Sequence, residues 1–307
     1  TERVHCTIVA EADVYRSQGR DSGSGSDNLA VSGNSVTIAT THSSVSGATT
    51  ADITYSNLES IAVFADAGVL LTVGGSGDYS VVPDAAADEG TLLTDSVTVS
   101  YEGFGAGTTI SIDGDLTLNA GDADDTISVA SGGTVTVSGR AAIATSSAGD
   151  NLVLVAGDGD DTVTIAAGHA WNTSDVQGGG PSASDIANLT GDGTAITVAL
   201  SDPASVSGGG LGTINLPGIE QVNLDAASGD VAADGTTGDD TLSYAPTGTD
   251  AGTIAVDGLN TGFSLSDVGS LTIDAAAGTD LVTVPVSYIH FPAHESREDL
   301  LRRPLFR

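Results

Sequence analysis

The sequence predicts an all-β protein: a parallel β-solenoid (β-helix or β-roll) with coils of about 18 residues, with tandem β-sandwich domains as the alternative topology. Three observations lead there. Of the 41 acidic residues, 33 are aspartate, a turn former, and only eight are glutamate, a helix former; they accompany 41 glycines. About twenty short runs alternate apolar with polar residues and close on glycine or aspartate, as in Thr108-Thr-Ile-Ser-Ile, Thr134-Val-Thr-Val and Asn151-Leu-Val-Leu-Val. That is the pattern of strands with one buried face. The runs also recur at a nearly fixed interval: Ile110, Ile127, Ile143 and Val163 follow at steps of 17, 16 and 20, and Leu116, Val135 and Val153 at 19 and 18. A fixed period signals units that bury their apolar face only by stacking on their neighbours.

Along the chain, residues 1–30 read as a non-repeat N-terminal segment and 31–165 as a first solenoid segment. Residues 166–190 read as an inserted loop protruding from the stack; it carries His169, the lone Trp171 and Gly178-Gly-Gly-Pro. Residues 191–285 form a second segment related to the first by duplication. Val36-Thr-Ile-Ala, Ser44-Val-Ser-Gly and Ile53 match Ile196-Thr-Val-Ala, Ser205-Val-Ser-Gly and Ile214 at offsets of 160 to 161, and Gly107-Thr-Thr-Ile-Ser-Ile matches Gly252-Thr-Ile-Ala-Val at about 144. Residues 286–307, where arginine and histidine reappear, form a non-repeat tail. Stacking places Ile110, Ile127 and Val163 in one inward column.

Charge narrows the partners. The net charge is −33, there is no lysine, and Arg140 is the single arginine between Asp21 and Glu295. Nucleic acid is excluded, because phosphate binding depends on Lys and Arg displacing counterions. The longest apolar stretch, around Ile61–Val73, is interrupted by Asp66 and Gly68 and falls short of the ~20 residues that span a bilayer, so no membrane insertion is expected. A single cysteine, Cys6, permits no internal disulfide. The start at Thr1 suggests a processed product or a fragment.

Four turns concentrate carboxylates: Gly121-Asp-Ala-Asp-Asp-Thr-Ile-Ser, Gly157-Asp-Gly-Asp-Asp-Thr-Val-Thr, Gly238-Asp-Asp-Thr-Leu-Ser and Gly278-Thr-Asp-Leu-Val-Thr. They resemble the haemolysin-type calcium-binding repeat (RTX) family of secreted bacterial proteins, whose nonapeptide is G-G-x-G-x-D-x-U-x. Gly157, Gly159, Asp161 and Val163 fill four of its defined positions, and Gly235, Gly238, Asp240 and Leu242 match as well. The resemblance implies a right-handed β-roll, secretion, and calcium held between coils. Its candidate ligands are Asp122, Asp124, Asp125, Asp158, Asp160, Asp161, Asp239 and Asp240. The family's repeats run in tandem, whereas these copies are well separated along the chain, the key aspartates being Asp125, Asp161, Asp240 and Asp280. The other reading of the same turns is structural: glycine takes positive φ and aspartate caps backbone N–H groups. Arg140 lies one coil, about 18 residues, from both Asp122 and Asp158. Its turn is therefore expected between the two acidic turns, with the guanidinium standing in for a cation.

No catalytic residue is assigned, and the chain is not expected to be an enzyme. His290 and His294 have helical spacing, but Pro292 between them argues against a zinc helix. Trp171 is a candidate ligand contact or a lid on the core. The function expected is a structural or adhesive segment of a larger secreted or cell-surface bacterial protein, with calcium as its candidate cofactor. Its partners would be a cell-surface or matrix polysaccharide or neighbouring domains of the same protein. The alternative is an extracellular carbohydrate-active enzyme, a polysaccharide hydrolase or lyase, on a right-handed β-helix.

Overall fold

The computed structural model describes residues 78–285, except 85, 96, 105–106, 146–147 and 181–183, and strand backbone between residues 16 and 74. The protein is all-β, with no helix among the described residues, and its strands form two mixed sheets of 14 and 15 strands. Alternation in the sequence becomes alternation in burial: Leu116–Gly121 reads buried at Leu116, Leu118 and Ala120, and Thr162–Ala166 at Val163 and Ile165. The buried apolar residues of both sheets belong to one core, including Leu118 and Leu154 from one sheet and Ile127 and Val163 from the other.

The chain passes back and forth between the sheets. Leu116–Gly121, Asn151–Gly157 and Thr173–Gly179 are parallel neighbours in the 14-stranded sheet; Thr126–Val129, Thr162–Ala166, Ile186–Thr190, Gln221–Asp225 and Gly262–Ser266 are parallel neighbours in the other. Interspersed are antiparallel triplets whose outer strands pair in parallel with the strands beyond them. Tyr79–Pro83, Glu89–Leu93 and Thr98–Glu102 form one in the 14-stranded sheet. Thr126–Val129, Val135–Val137 and Ala142–Thr145 form one in the 15-stranded sheet. Further triplets span Ile196 to Leu216 and Thr241 to Ser266.

These triplets correct the expected period. Parallel neighbours arrive later than one expected coil: Leu116 faces Leu152 and Ile127 faces Val163, twice that interval onward, and Val222 faces Phe263, further still. Even the shortest circuits, from Leu152 to Ser174 and from Val163 to Ala187, exceed it. The short interval in the sequence mixes unlike steps: Ile110 to Ile127 and Ile143 to Val163 are returns to the 15-stranded sheet, Ile127 to Ile143 joins the outer strands of one triplet, and Val135 lies in the other sheet from Leu116 and Val153. For the same reason Ile110 and Ile127 do not share a column. Ile127 is aligned with Val163 and Val137, whereas Ile110 is aligned with Ile143 and Leu71, in the next inward row. All three of Ile110, Ile127 and Val163 are fully buried.

Residues 166–190 do not form a protruding loop. They contain two strands, Thr173–Gly179 and Ile186–Thr190, one in each sheet and both flanked by parallel partners. Their inward positions are Ser174, Val176, Gly178, Ala187 and Leu189, so polar and small residues hid the alternation. The stretches matched at offset 160 fall on two antiparallel triplets, Ser35–Ala39 to Ile53–Thr54 and Ile196–Ala199 to Thr213–Leu216. The match at 144 sets the single strand Thr109–Ile112 against a triplet's middle strand, Gly252–Val256. The tail 286–307 and most of 1–30 lie outside the described residues.

Candidate metal centre

The acidic turns are the arcs that carry the chain from one sheet to the other. Three strands of the 14-stranded sheet end on Gly121, Gly157 and Gly179, stacked in register with φ of 131°, 108° and 104°. A Cβ on Gly157 would collide with the Gly121 carbonyl, and one on Gly179 with the Gly157 carbonyl. Glycine is required here by both conformation and space.

After each glycine the chain turns and enters the other sheet behind a carboxylate. Asp125, Asp161, Asp185 and Glu220 immediately precede Thr126–Val129, Thr162–Ala166, Ile186–Thr190 and Gln221–Asp225. They form a ladder. Asp161 Oδ1 accepts the Asp125 N–H at 2.7 Å, Asp185 Oδ1 accepts the Asp161 N–H at 2.9 Å, and Glu220 Oε2 accepts the Asp185 N–H at 2.9 Å. Backbone bonds reinforce it: Thr162 N–H donates to the Asp125 carbonyl and Ile186 N–H to that of Asp161. Asp161, Asp185 and Glu220 thus each satisfy an N–H at a strand entrance, where an unpaired donor would be costly.

A second, exposed row runs beside the first. Asp124 Oδ1 accepts the Asp160 N–H at 3.0 Å, and Asp160 Oδ1 accepts Ser184 Oγ at 2.6 Å. Near the C-terminal end of the sheets the pattern recurs. Asp280 Oδ1 accepts the Asp240 N–H at 3.0 Å, and Asp239 Oδ1 accepts the Thr279 N–H at 2.7 Å. The Asp240 carboxylate holds its own arc by accepting the Thr236 N–H and hydroxyl at 2.7 and 2.9 Å. Asp122 and Asp158 are exposed and belong to neither row.

Copies that look dispersed in the sequence are therefore neighbours in space, because the intervals from Asp125 to Asp161 and from Asp240 to Asp280 are each a single circuit. Sequence reasoning missed Asp185 and Glu220, which occupy the gap between Asp161 and Asp240. The signal was present: each is a carboxylate directly before an alternating run, Ile-Ala-Asn-Leu and Gln-Val-Asn-Leu.

Burial raises the carboxyl pKa of Asp161, with the charges of Asp185 and Asp125 adding to it and the Asp125 N–H opposing. Burial likewise raises Asp125, opposed by Arg140. Asp161 Oδ2 and Asp185 Oδ2 are buried and without a hydrogen-bond partner. A calcium ion takes six to eight oxygens, and among the described residues no three carboxylates, histidines or cysteines converge to hold a metal ion.

Arg140 does not lie between the acidic arcs, which stack directly on each other. Its turn joins Val135–Val137 to Ala142–Thr145, on the far side of Thr126–Val129 from Thr162–Ala166. One expected coil reaches the returning strands of a triplet rather than the parallel neighbour. The guanidinium acts on Asp125 and donates to the Ala86 carbonyl at 3.5 Å. Trp171 is 2% exposed and donates through Nε1 to the Gly133 carbonyl at 2.9 Å, so its ring presents no free face to a ligand.

Fold and arcs together define an all-β protein of two mixed sheets on one core, crossed by arcs with stacked carboxylates. No protein-family model, curated protein or solved structure matches the chain.

Proposed function

We propose that the chain is a β-solenoid segment of a larger secreted or cell-surface protein, acting as a structural or adhesive spacer. The observation that supports this is the ordered stack. Parallel neighbours arrive one circuit later along both sheets, and the arcs between them are joined by like residues, carboxylate over carboxylate and glycine over glycine. Such a stack gains length by repetition, because each circuit contacts only its neighbours. The 14-stranded sheet at ~4.8 Å per strand extends about 60 Å.

In this reading the carboxylate caps tie circuit to circuit, the task that calcium performs in tandem repeats. The melting temperature, measured in EDTA and in millimolar calcium, tests the division of labour. Caps acting alone give one value in both buffers. A rise in calcium that Asp161→Asn abolishes would instead assign an ion to the row, since ligands that bind only the folded state raise its stability. For the spacer reading itself, scattering from the full chain is expected to give an elongated pair-distance distribution, and a symmetric one would contradict it.

A further inference from the structure

The acids of this −33 chain are concentrated in arcs and turns, and among the described residues the outer face of the 15-stranded sheet between Thr109–Ile112 and Gly262–Ser266 is almost free of them. From Thr109–Ile112 to Gly262–Ser266, the outward positions are threonine, serine, asparagine, glutamine, alanine, glycine and one isoleucine, with a single carboxylate, Asp225. Asp225 is turned to its own backbone, accepting the Ala227 N–H at 2.9 Å. The register aligns the centre of this face into one row across six adjacent strands: Thr136, Ser128, Thr164, Asn188, Asn223 and Ser264. The row is ordered by its own bonds. Ser128 and Thr136 hydroxyls are 2.6 Å apart, Asn223 Nδ2 donates to Asn188 Oδ1 at 2.9 Å, and Gln221 Nε2 donates to Asn223 Oδ1 at 3.2 Å.

From this face we infer a binding surface for a neutral, extended polysaccharide, lying along the row of hydroxyl and amide groups. The inference rests on the adhesive form of the function proposed above and names its partner class and its face. The chemistry selects the occupant. A protein partner would want aromatic, arginine or aliphatic anchors at the centre of the contact, and the central row has none. An anionic polymer is repelled by the acidic arcs that border the face, and a cationic one is drawn to those arcs. Uncharged hydroxyl and amide groups at a repeat of ~4.8 Å complement a chain that itself presents hydroxyls at a regular repeat. Many weak contacts along one polymer then sum to useful affinity.

The test uses the full-length chain and suspensions of cellulose and of chitin as neutral probes, with soluble polygalacturonate as the anionic one. Depletion of the protein from solution by a neutral probe is expected, with little change as salt rises, because no ion pair is involved. The double variant Thr164→Glu/Asn188→Glu should weaken that binding at least tenfold, and Asn215→Glu on the other sheet's outer face should not. Asn188→Asp, close in shape, serves if the double variant fails to melt cooperatively. Neutral-probe binding unaffected by the face variants would overturn this face while leaving an adhesive role standing. Binding to polygalacturonate alone would overturn the partner class. The absence of binding to any probe by the folded chain would overturn the inference and leave the spacer reading untouched; so would self-association that the face variants abolish without neutral-glycan binding.

Discussion

At the scale of single residues, aspartate does here what a helix cap does elsewhere, accepting an N–H that regular structure leaves unpaired. Asp240 is the sharpest case, being 7% exposed and accepting both the N–H and the hydroxyl of Thr236. Asp240→Ala is expected to cost about 1–3 kcal/mol, read as a lower denaturant midpoint at unchanged slope. Asp122→Ala, at an exposed site, should stay within about 0.5 kcal/mol; equal losses would remove the capping account. Tyr101 supplies the pH test. It is 7% exposed, packs edge-on against Phe104 with centroids 5.7 Å apart, and burial pushes its phenol up to about 12, the Arg140 charge opposing. An unfolded tyrosine ionises near 10, so stability is intact below pH 10 and falls by roughly 1.4 kcal/mol per unit as pH rises toward the folded value. Tyr101→Phe should move the alkaline unfolding midpoint upward, and an unchanged midpoint would contradict the assignment. The motif residues were legible in the sequence as turn carboxylates, because Gly-Asp-x-Asp-Asp before an alternating run has a local meaning. Asp185 and Glu220 carried a weaker signal, since one carboxylate before a run is common and only stacking gives it a role.

At the scale of elements, the strands were legible and their partners were not. Alternation of buried and exposed residues is the same whether a neighbour runs parallel or antiparallel, so Val135–Val137 looks like any other strand although it returns between two co-directional ones. Ser174 and Gly178 mask the alternation of Thr173–Gly179, which made a strand look like a loop. The glycine column is the element most open to test. Gly157→Ala demands a positive φ from alanine and drives its Cβ into the Gly121 carbonyl, and should cost about 3 kcal/mol or more or abolish folding. Gly132→Ala, with nothing within 4 Å of the new Cβ, should change the melting temperature little. Two similar values would mean that the arcs do not stack as described.

For the whole molecule, the central claim is that strands lie in a single ordered stack, so separation grows with the number of strands that stand between two residues in the sheet. Paired spin labels measure this directly in a Cys6→Ser background, which removes the lone native thiol. Ser111→Cys with Ser264→Cys spans seven strand spacings, and Ser128→Cys with Ser264→Cys spans four. At ~4.8 Å per spacing the account predicts separations of about 34 and 19 Å, each as one narrow distribution. Two equal distances, or the longer one for the pair containing Ser128, would contradict the stack.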